Sequence, residues 1–160
     1  MSEELKKGFQ KALRRMAASV SIVTAGDGKE RAGATVSSVV SVSFEPLSLL
    51  VCIHRSSLFH KMISAQEHFC INLLQDNQQE ISDRFSRPAS QADLFRQGNW
   101  CEQGGLPWLE DAQAVFFLRK AEAVEFGSHT VFIGEVEEVL SREEVAPLVY
   151  LDGGYRKVPA

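Results

Sequence analysis

A mainly β fold with flanking helices is what this sequence predicts, on three grounds. Segments that alternate in hydropathy or are rich in β-branched residues recur between residues 19 and 139. Turns built from Gly, Pro, Asp and Ser separate them, and helical periodicity is confined to short stretches. Several antiparallel strands must hide their edges, and a small closed barrel is the arrangement that does so.

The elements follow in order. Leu5, Phe9, Leu13 and Met16 recur at helical spacing, with Lys6, Lys7, Lys11, Arg14 and Arg15 on the other face. The expectation is an amphipathic helix packed on a sheet; Glu3 and Glu4 dilute the basic face and weaken a membrane-surface reading. Ser19 to Thr24 alternates as a half-buried strand, and Ala25-Gly26-Asp27-Gly28-Lys29 forms a hairpin turn. The return segment, residues 32–43, reads as extended chain that Phe44-Glu45-Pro46 breaks. Residues 47–53 form a buried strand, 58–65 a short helix and 68–74 another strand. Asp76 or Asn77 caps a helix that places Ile81 and Phe85 on the core face. Residues 86–99 read as a long surface excursion with one helical turn at 93–96, and residues 100–108 as irregular chain. Strands at 114–126 and 129–139 meet at the Gly127-Ser128 turn.

Size and charge narrow the function. A chain of 160 residues, 44% hydrophobic and 24% charged, suits one domain spanning 1–160 with a single continuous core. Its net charge of −4, without a basic run, argues against nucleic acid as a partner. The polar start and the lack of a long apolar run argue against a signal peptide or a membrane span. Cys52, Cys70 and Cys101 have neither metal-ligand spacing nor an even count, which fits the cytoplasm, and Cys52 and Cys70 read as small buried hydrophobes.

The most informative stretch is Ala32 to Ser43, where Thr35, Ser37, Ser38, Ser41 and Ser43 crowd into nine positions. Small side chains and hydroxyls suit a backbone that approaches a ligand closely and offers hydrogen bonds to phosphate or ribityl oxygens. A serine-rich edge strand or turn reads the same way. Downstream, Arg55, Ser56 and Ser57 converge on a turn that opens a helix, an anion seat or an ordinary serine cap. Arg84 can reach a phosphate or solvate its helix, and His129, opening a strand after a turn, is a catalytic candidate or a turn residue. No nucleophile elbow, P-loop, glycine-rich nucleotide loop or zinc spacing is present. A hydroxyl-rich site without an acid–base pair suits a cofactor that carries the chemistry itself.

Gly33-Ala34-Thr35-Val36-Ser37-Ser38, followed by Ser41-Val42-Ser43 and Pro46, resembles the signature of the short-chain flavin reductases, the flavin-reductase-like, FMN-binding split-barrel family. The resemblance continues through Leu50-Val51-Cys52-Ile53-His54-Arg55-Ser56-Ser57, where an Asn is common at the position of His54. It extends through Phe69-Cys70-Ile71-Asn72-Leu73-Leu74 with Arg84-Phe85, and through Gly127-Ser128-His129-Thr130, with Ser in place of an Asp. Pro147-Leu148-Val149-Tyr150 and Gly154-Tyr155-Arg156 match the C-terminal pattern, so the resemblance spans essentially the whole chain.

The resemblance implies an FMN-binding split β-barrel, usually a homodimer, that binds FMN or FAD and reduces it with NADH or NADPH, often for a partner monooxygenase. Carried onto this chain, it implies that Ala34, Thr35, Val36, Ser37, Ser38 and Ser41 line the flavin, with His54 beside them. Ser56, Ser57 and Arg84 would hold phosphate, with Phe85 adjoining. His129 would sit near the nicotinamide, and Tyr155 beside flavin or nucleotide. The same barrel could serve as an electron carrier without nicotinamide turnover, and a plain interaction domain would bind no flavin.

Overall fold

The computed structural model describes residues 1–87 and 89–159. In chain order its elements are α1 (Glu3–Leu13), β1 (Ala18–Ser19), β2 (Ser21–Gly26), β3 (Arg31–Val36), β4 (Val40–Phe44), β5 (Leu47–His54), α2 (Leu58–Ala65) and β6 (His68–Leu73). They continue as α3 (Gln79–Phe85), α4 (Gln91–Leu94), β7 (Trp100–Gln103), β8 (Leu106–Leu109), β9 (Ala114–Phe126), β10 (His129–Ser141), β11 (Leu148–Leu151) and β12 (Gly154–Lys157). No helix among them is long and apolar enough to cross a membrane.

Seven strands form one antiparallel sheet in the order β3-β2-β6-β9-β10-β5-β4. The end strands β3 and β4 do not pair, so the barrel expected to be closed is split. The cause lies in the hydroxyl-rich segment. It is not one strand but two, interrupted at Ser37-Ser38-Val39, and the second half turns away to pair with β5.

The curved sheet carries a core on each face. One joins Val23, Ala32, Val36, Val51, Phe69 and Phe132 to Phe59 and Ile63 of α2. The other lies under α3, α4 and the β7–β8 hairpin, around Ile22, Ile81, Phe85, Leu94, Phe95 and Leu109. Two strand glycines let aromatic rings come close to the backbone. A Cβ at Gly33 would stand 2.7 Å from Phe85, and one at Gly134 would stand 2.8 Å from Phe69. Both approaches are closer than van der Waals contact permits, so neither strand tolerates a side chain there.

Four expectations are corrected. No residue of α1 is buried: Leu5, Phe9, Leu13 and Met16 all face outward, so its apolar stripe does not pack on this chain's sheet. Neither Asp76 nor Asn77 caps α3; Gln78 precedes it, and its side chain instead accepts from Gln75 N–H at 2.8 Å and donates to the Asp111 carbonyl at 2.9 Å. The excursion at 86–99 is not a surface loop, because Leu94 and Phe95 enter the core, and Pro88 lies outside the described residues. Residues 100–109 are a β-hairpin rather than irregular chain. Cys70 is fully buried as expected, whereas Cys52 is only half-buried.

Asn72 fastens that hairpin. Fully buried on β6, it donates through Nδ2 to the Ile22 carbonyl at 2.9 Å and to Thr24 Oγ1 at 3.2 Å, and its Oδ1 accepts from Leu109 N–H at 2.8 Å. Thr24 in turn donates to the Pro107 carbonyl. Asn72→Ala orphans a buried donor and a buried acceptor at about 1–3 kcal/mol each, so urea titration should show a loss of about 2–6 kcal/mol. A variant as stable as the parent would mean that the hairpin is held by its apolar contacts alone.

Candidate active site

Among the described residues, strand β3 pairs only with β2. Gly33 N–H leaves the free side to reach Gln91 Oε1 of α4 at 3.0 Å. Thr35, two residues on, directs its own N–H the same way, because backbone groups alternate along a strand. This edge, and the linker that follows it, gathers the residues singled out in the sequence into two groups.

The first group lies where β3 ends against α3 and the β11–β12 hairpin. Thr35, Val36, Ser37 and Tyr155 line a groove of about 440 Å³ together with Ser82, Asp83, Ser86 and Tyr150. Thr35 Oγ1 donates to the Ser82 carbonyl at 2.7 Å. The Tyr155 hydroxyl donates to Asp83 Oδ1 at 3.1 Å and so accepts from Ser82 Oγ at 2.8 Å. Burial pushes the Tyr155 phenol above the usual tyrosine range, and the Asp83 carboxylate adds to the shift. The phenol therefore stays protonated at neutral pH. Ser82 and Asp83 were not legible as site residues, although they immediately precede the Arg84-Phe85 pair.

The second group lies at the β5–α2 turn. His54 and His129 are directly opposed across β5 and β10, with rings edge-on at 5.0 Å. Ser56 N–H donates to His54 Nδ1 at 3.2 Å, which places the neutral imidazole's proton on Nε2; Ser56 Oγ lies 2.9 Å from the same nitrogen. Ser128 Oγ lies 2.8 Å from His129 Nδ1. Ser57 caps α2, accepting from His60 N–H at 3.1 Å. His60 Nε2 reaches the buried Thr130 hydroxyl at 2.8 Å. At the far end of α2, Lys120 donates to the Ile63 and Ser64 carbonyls at 3.0 and 2.7 Å, and burial lowers its pKa. The helix is thus fixed at its start, middle and end.

Ser38 connects the two groups. Its Oγ accepts from Cys52 N–H at 3.1 Å and lies 3.3 Å from the Cys52 carbonyl, to which it donates. One side chain thus does what a paired strand residue does, at the seam where β3 and β5 share no ladder. Other hydroxyls are similarly engaged: Ser43 accepts from Glu45 N–H, and Ser57 is the helix cap. Ser37 and Ser41 are exposed, and Ala34 faces the core.

The structure does not unite every residue singled out. Arg84 donates to Gln97 Oε1 at 3.2 Å and to the Asp93 carbonyl at 3.3 Å, which ties it to the segment after α3 rather than to the Ser56-Ser57 turn. Phe85 is 4% exposed, edge-on to Phe95 and against Trp100, and packs in the core rather than lining the groove.

These roles separate two neighbouring serines. Ser38→Ala leaves both Cys52 backbone groups unpaired at a half-buried seam and should cost about 1–3 kcal/mol, whereas Ser37→Ala should stay within about 0.5 kcal/mol. Equal thermal unfolding curves for the two variants would remove Ser38 from the seam.

With this geometry in view, comparison with known proteins is direct. The family model described as "Flavin reductase like domain" matches residues 13–159. The reductase component of the FADH(2)-dependent resorcinol hydroxylase of Rhizobium sp. (strain MTP-10005) is 36% identical, over 96% of this chain and 87% of its own length. The FMN reductase (NADH) RutF of Variovorax paradoxus (strain S110) is 33% identical, over 97% of this chain and 87% of its own. A solved putative flavin reductase from Haemophilus somnus 129PT superposes with a TM-score of 0.91 at 29% identity, covering 95% of this chain and 98% of that one. The split sheet, the hydroxyl-bearing edge of β3 and the matched sequence together mean that this chain belongs to the flavin reductase-like domain family.

Proposed function

We propose that the protein is an NAD(P)H-dependent flavin reductase, acting on FMN or FAD and supplying reduced flavin to a partner monooxygenase. The observation that carries this reading is the free edge of β3 running into Ser37-Ser38, with a paired histidine turn on one side and a Tyr155-Asp83-Ser82 cluster on the other. That set of groups suits a flavin: the outward Thr35 N–H and the Ser37 hydroxyl for a polar ring edge, and the start of α2 for a phosphate. NADH is the better-supported nicotinamide, since the Variovorax relative is named for it. The monooxygenase partner follows from the Rhizobium relative, a hydroxylase's reductase component.

Bound flavin supplies the hydride acceptor for the reduced nicotinamide, so no side chain need act as a base. The chain's residues bind and orient. Thr35 N–H and Ser37 would bind the polar part of the ring, and Ser57 and the opening N–H groups of α2 would hold the phosphate. The Ser38 clamp keeps the linker at one distance from β5. His129, held by Ser128 and His54, would dock the nicotinamide.

We also read residues 1–160 as one flavin-reductase-like unit that works as a homodimer in the cytoplasm. Phe44 and Phe126 are each 83% exposed, with Val40, Val42, Leu47 and Val124 also open, and β4 is a free sheet edge. A second copy that pairs along β4 and covers Val40, Val124 and Phe126, which the register places on one face, removes both liabilities. Free Cys52, Cys70 and Cys101 suit a reducing compartment.

Added FMN or FAD should make the protein oxidise NADH, and stopped-flow traces should show bound flavin bleaching. His129→Ala should slow that bleaching by roughly a hundredfold, the scale of misplacing a reacting ring by about 1 Å, with flavin affinity nearly unchanged. Normal bleaching on poorly bound flavin would make His129 a flavin ligand instead, and no NADH oxidation with either flavin would refute the enzyme. Light scattering should give twice the chain mass, falling to one chain in Phe44→Asp/Phe126→Asp; an unchanged dimer in that variant would place the interface elsewhere.

A further inference from the structure

Among the described residues, two apolar surfaces stay open. One is the stripe of α1. Ser2 caps this helix, accepting from Leu5 N–H at 3.2 Å, yet none of its residues is buried. Leu5 and Phe9 are 63% and 62% exposed and stand one turn apart, and Leu13 follows at the same spacing. The end of the helix is tied to the turn between β11 and β12, where Asp152 N–H donates to the Arg14 carbonyl at 2.8 Å.

The other surface is the outer face of β9, β10, β5 and β4, whose registers set side chains in three rows. Phe126, His129 and His54 form the first row, and Val124, Val131 and Cys52 the second. Glu122, Ile133, Leu50 and Val40 form the third. Alternation along the strands puts Val51, Ile53 and Phe132 on the inner face, where all three are buried. Leu50, Cys52, Val131 and Ile133 are only half-buried, and Val40, Val124 and Phe126 are exposed.

The two surfaces match in size. Leu5 to Leu13 covers about 12 Å of helix. The first and third rows lie four strand residues apart, about 14 Å, and four strands are about 14 Å across, wide enough for one helix. They match in charge as well. Residues 2–16 carry five Lys or Arg against two Glu, a net +3, so in a chain of net charge −4 the rest carries −7. Lys6, Lys7, Lys11 and Arg14 form no ion pair among the described residues. Neither do Glu122 of the third row and Glu45 of the turn between β4 and β5. A basic helix with an apolar stripe thus complements an apolar sheet face with acidic groups at its border. A lipid surface would take the helix and leave the sheet face bare, whereas a second copy takes both.

We propose that α1 of each copy packs across the β9–β10–β5–β4 face of the other, helix on sheet, in a two-fold exchange. The proposal rests on the homodimer reading above and names the element that covers Val40, Val124 and Phe126. Because His54 and His129 form one row of that face, the helix of one copy also borders the histidine turn of the other.

Cys52, in the middle row, serves as a native reporter. Ala12 lies beside Leu5 and Phe9 on α1, so Ala12→Cys/Cys101→Ser puts a thiol on the stripe and removes the other half-buried one. A short bismaleimide should join the introduced thiol to Cys52 of the partner subunit, giving a species of twice the chain mass whose digest contains that pair. The same pair joined within a single chain mass, or no link to Cys52, would overturn the proposal. In sedimentation equilibrium, Leu5→Asp/Phe9→Asp should weaken the dimer about a hundredfold or more. That variant leaves the chain's own core intact, since no residue of α1 is buried in it, and circular dichroism checks the fold. A wild-type dimer that the variant leaves equally tight would overturn the proposal and keep the homodimer. A wild type that stays a single chain at every concentration would sink the homodimer reading and this exchange with it.

Discussion

Strand β3 has a neighbour on one side only, and the rest of the site depends on how its other side is met. An unpaired edge invites aggregation unless something covers it or a ligand uses it. Here the cover is partial and made of side chains. Gln91 takes the Gly33 N–H, Ser82 takes the Thr35 hydroxyl, and Ser38 joins the end of the strand to Cys52 of β5. A continuous β3–β5 ladder would have closed the barrel and left no edge. A bare edge would have left the linker free. A single serine that accepts and donates on one residue's backbone holds the barrel together without closing it.

That partial cover requires close approach, which explains the glycines. Phe85 lies against Gly33 because nothing projects there, and its seat brings α3 near enough for the Ser82 carbonyl to reach Thr35. Asp83, next on the same helix, then meets the Tyr155 hydroxyl from the C-terminal hairpin. A Cβ at Gly33 would push back the helix that carries two walls of the groove, so a packing constraint becomes a constraint on the site. On the opposite side, α2 has only eight residues and too few hydrogen bonds to stand alone. Ser57, His60 with Thr130, and Lys120 supply what its length does not.

Much of this was legible in the residues, and what was not failed for identifiable reasons. The strands at 114–126 and the helix at 58–65 follow from hydrophobic period alone, and the structure has them within those bounds. The break at Ser37-Ser38-Val39 was invisible because small polar residues between valines read as continuous strand; only the pairing of β4 with β5 reveals it. The β7–β8 hairpin was missed because Gly104-Gly105 and Pro107 dominate the local pattern, while its anchor, Asn72, lies far back in the chain. The apolar stripe of α1 was read correctly and its packing was not, since periodicity shows that a face is apolar without showing what meets it. Hydroxyl density was the least specific signal, because Ser38, Ser43 and Ser57 prove to bond backbone.

The two departures from the family pattern at the mouth of the site make sense on the same terms. An asparagine at position 54 would offer its amide oxygen to the N–H two residues on, the local bond that shapes a turn. His54 does this with Nδ1 on Ser56 N–H at 3.2 Å, so the turn is kept. What the histidine adds is a ring edge-on to His129, together with an Nε2 proton fixed by the same bond. An aspartate at 128 would bond His129 while placing a negative charge beside it; Ser128 keeps a hydrogen bond at 2.8 Å and removes the charge. The orientation of His129 then rests on the Ser128 hydroxyl and the neighbouring His54 ring.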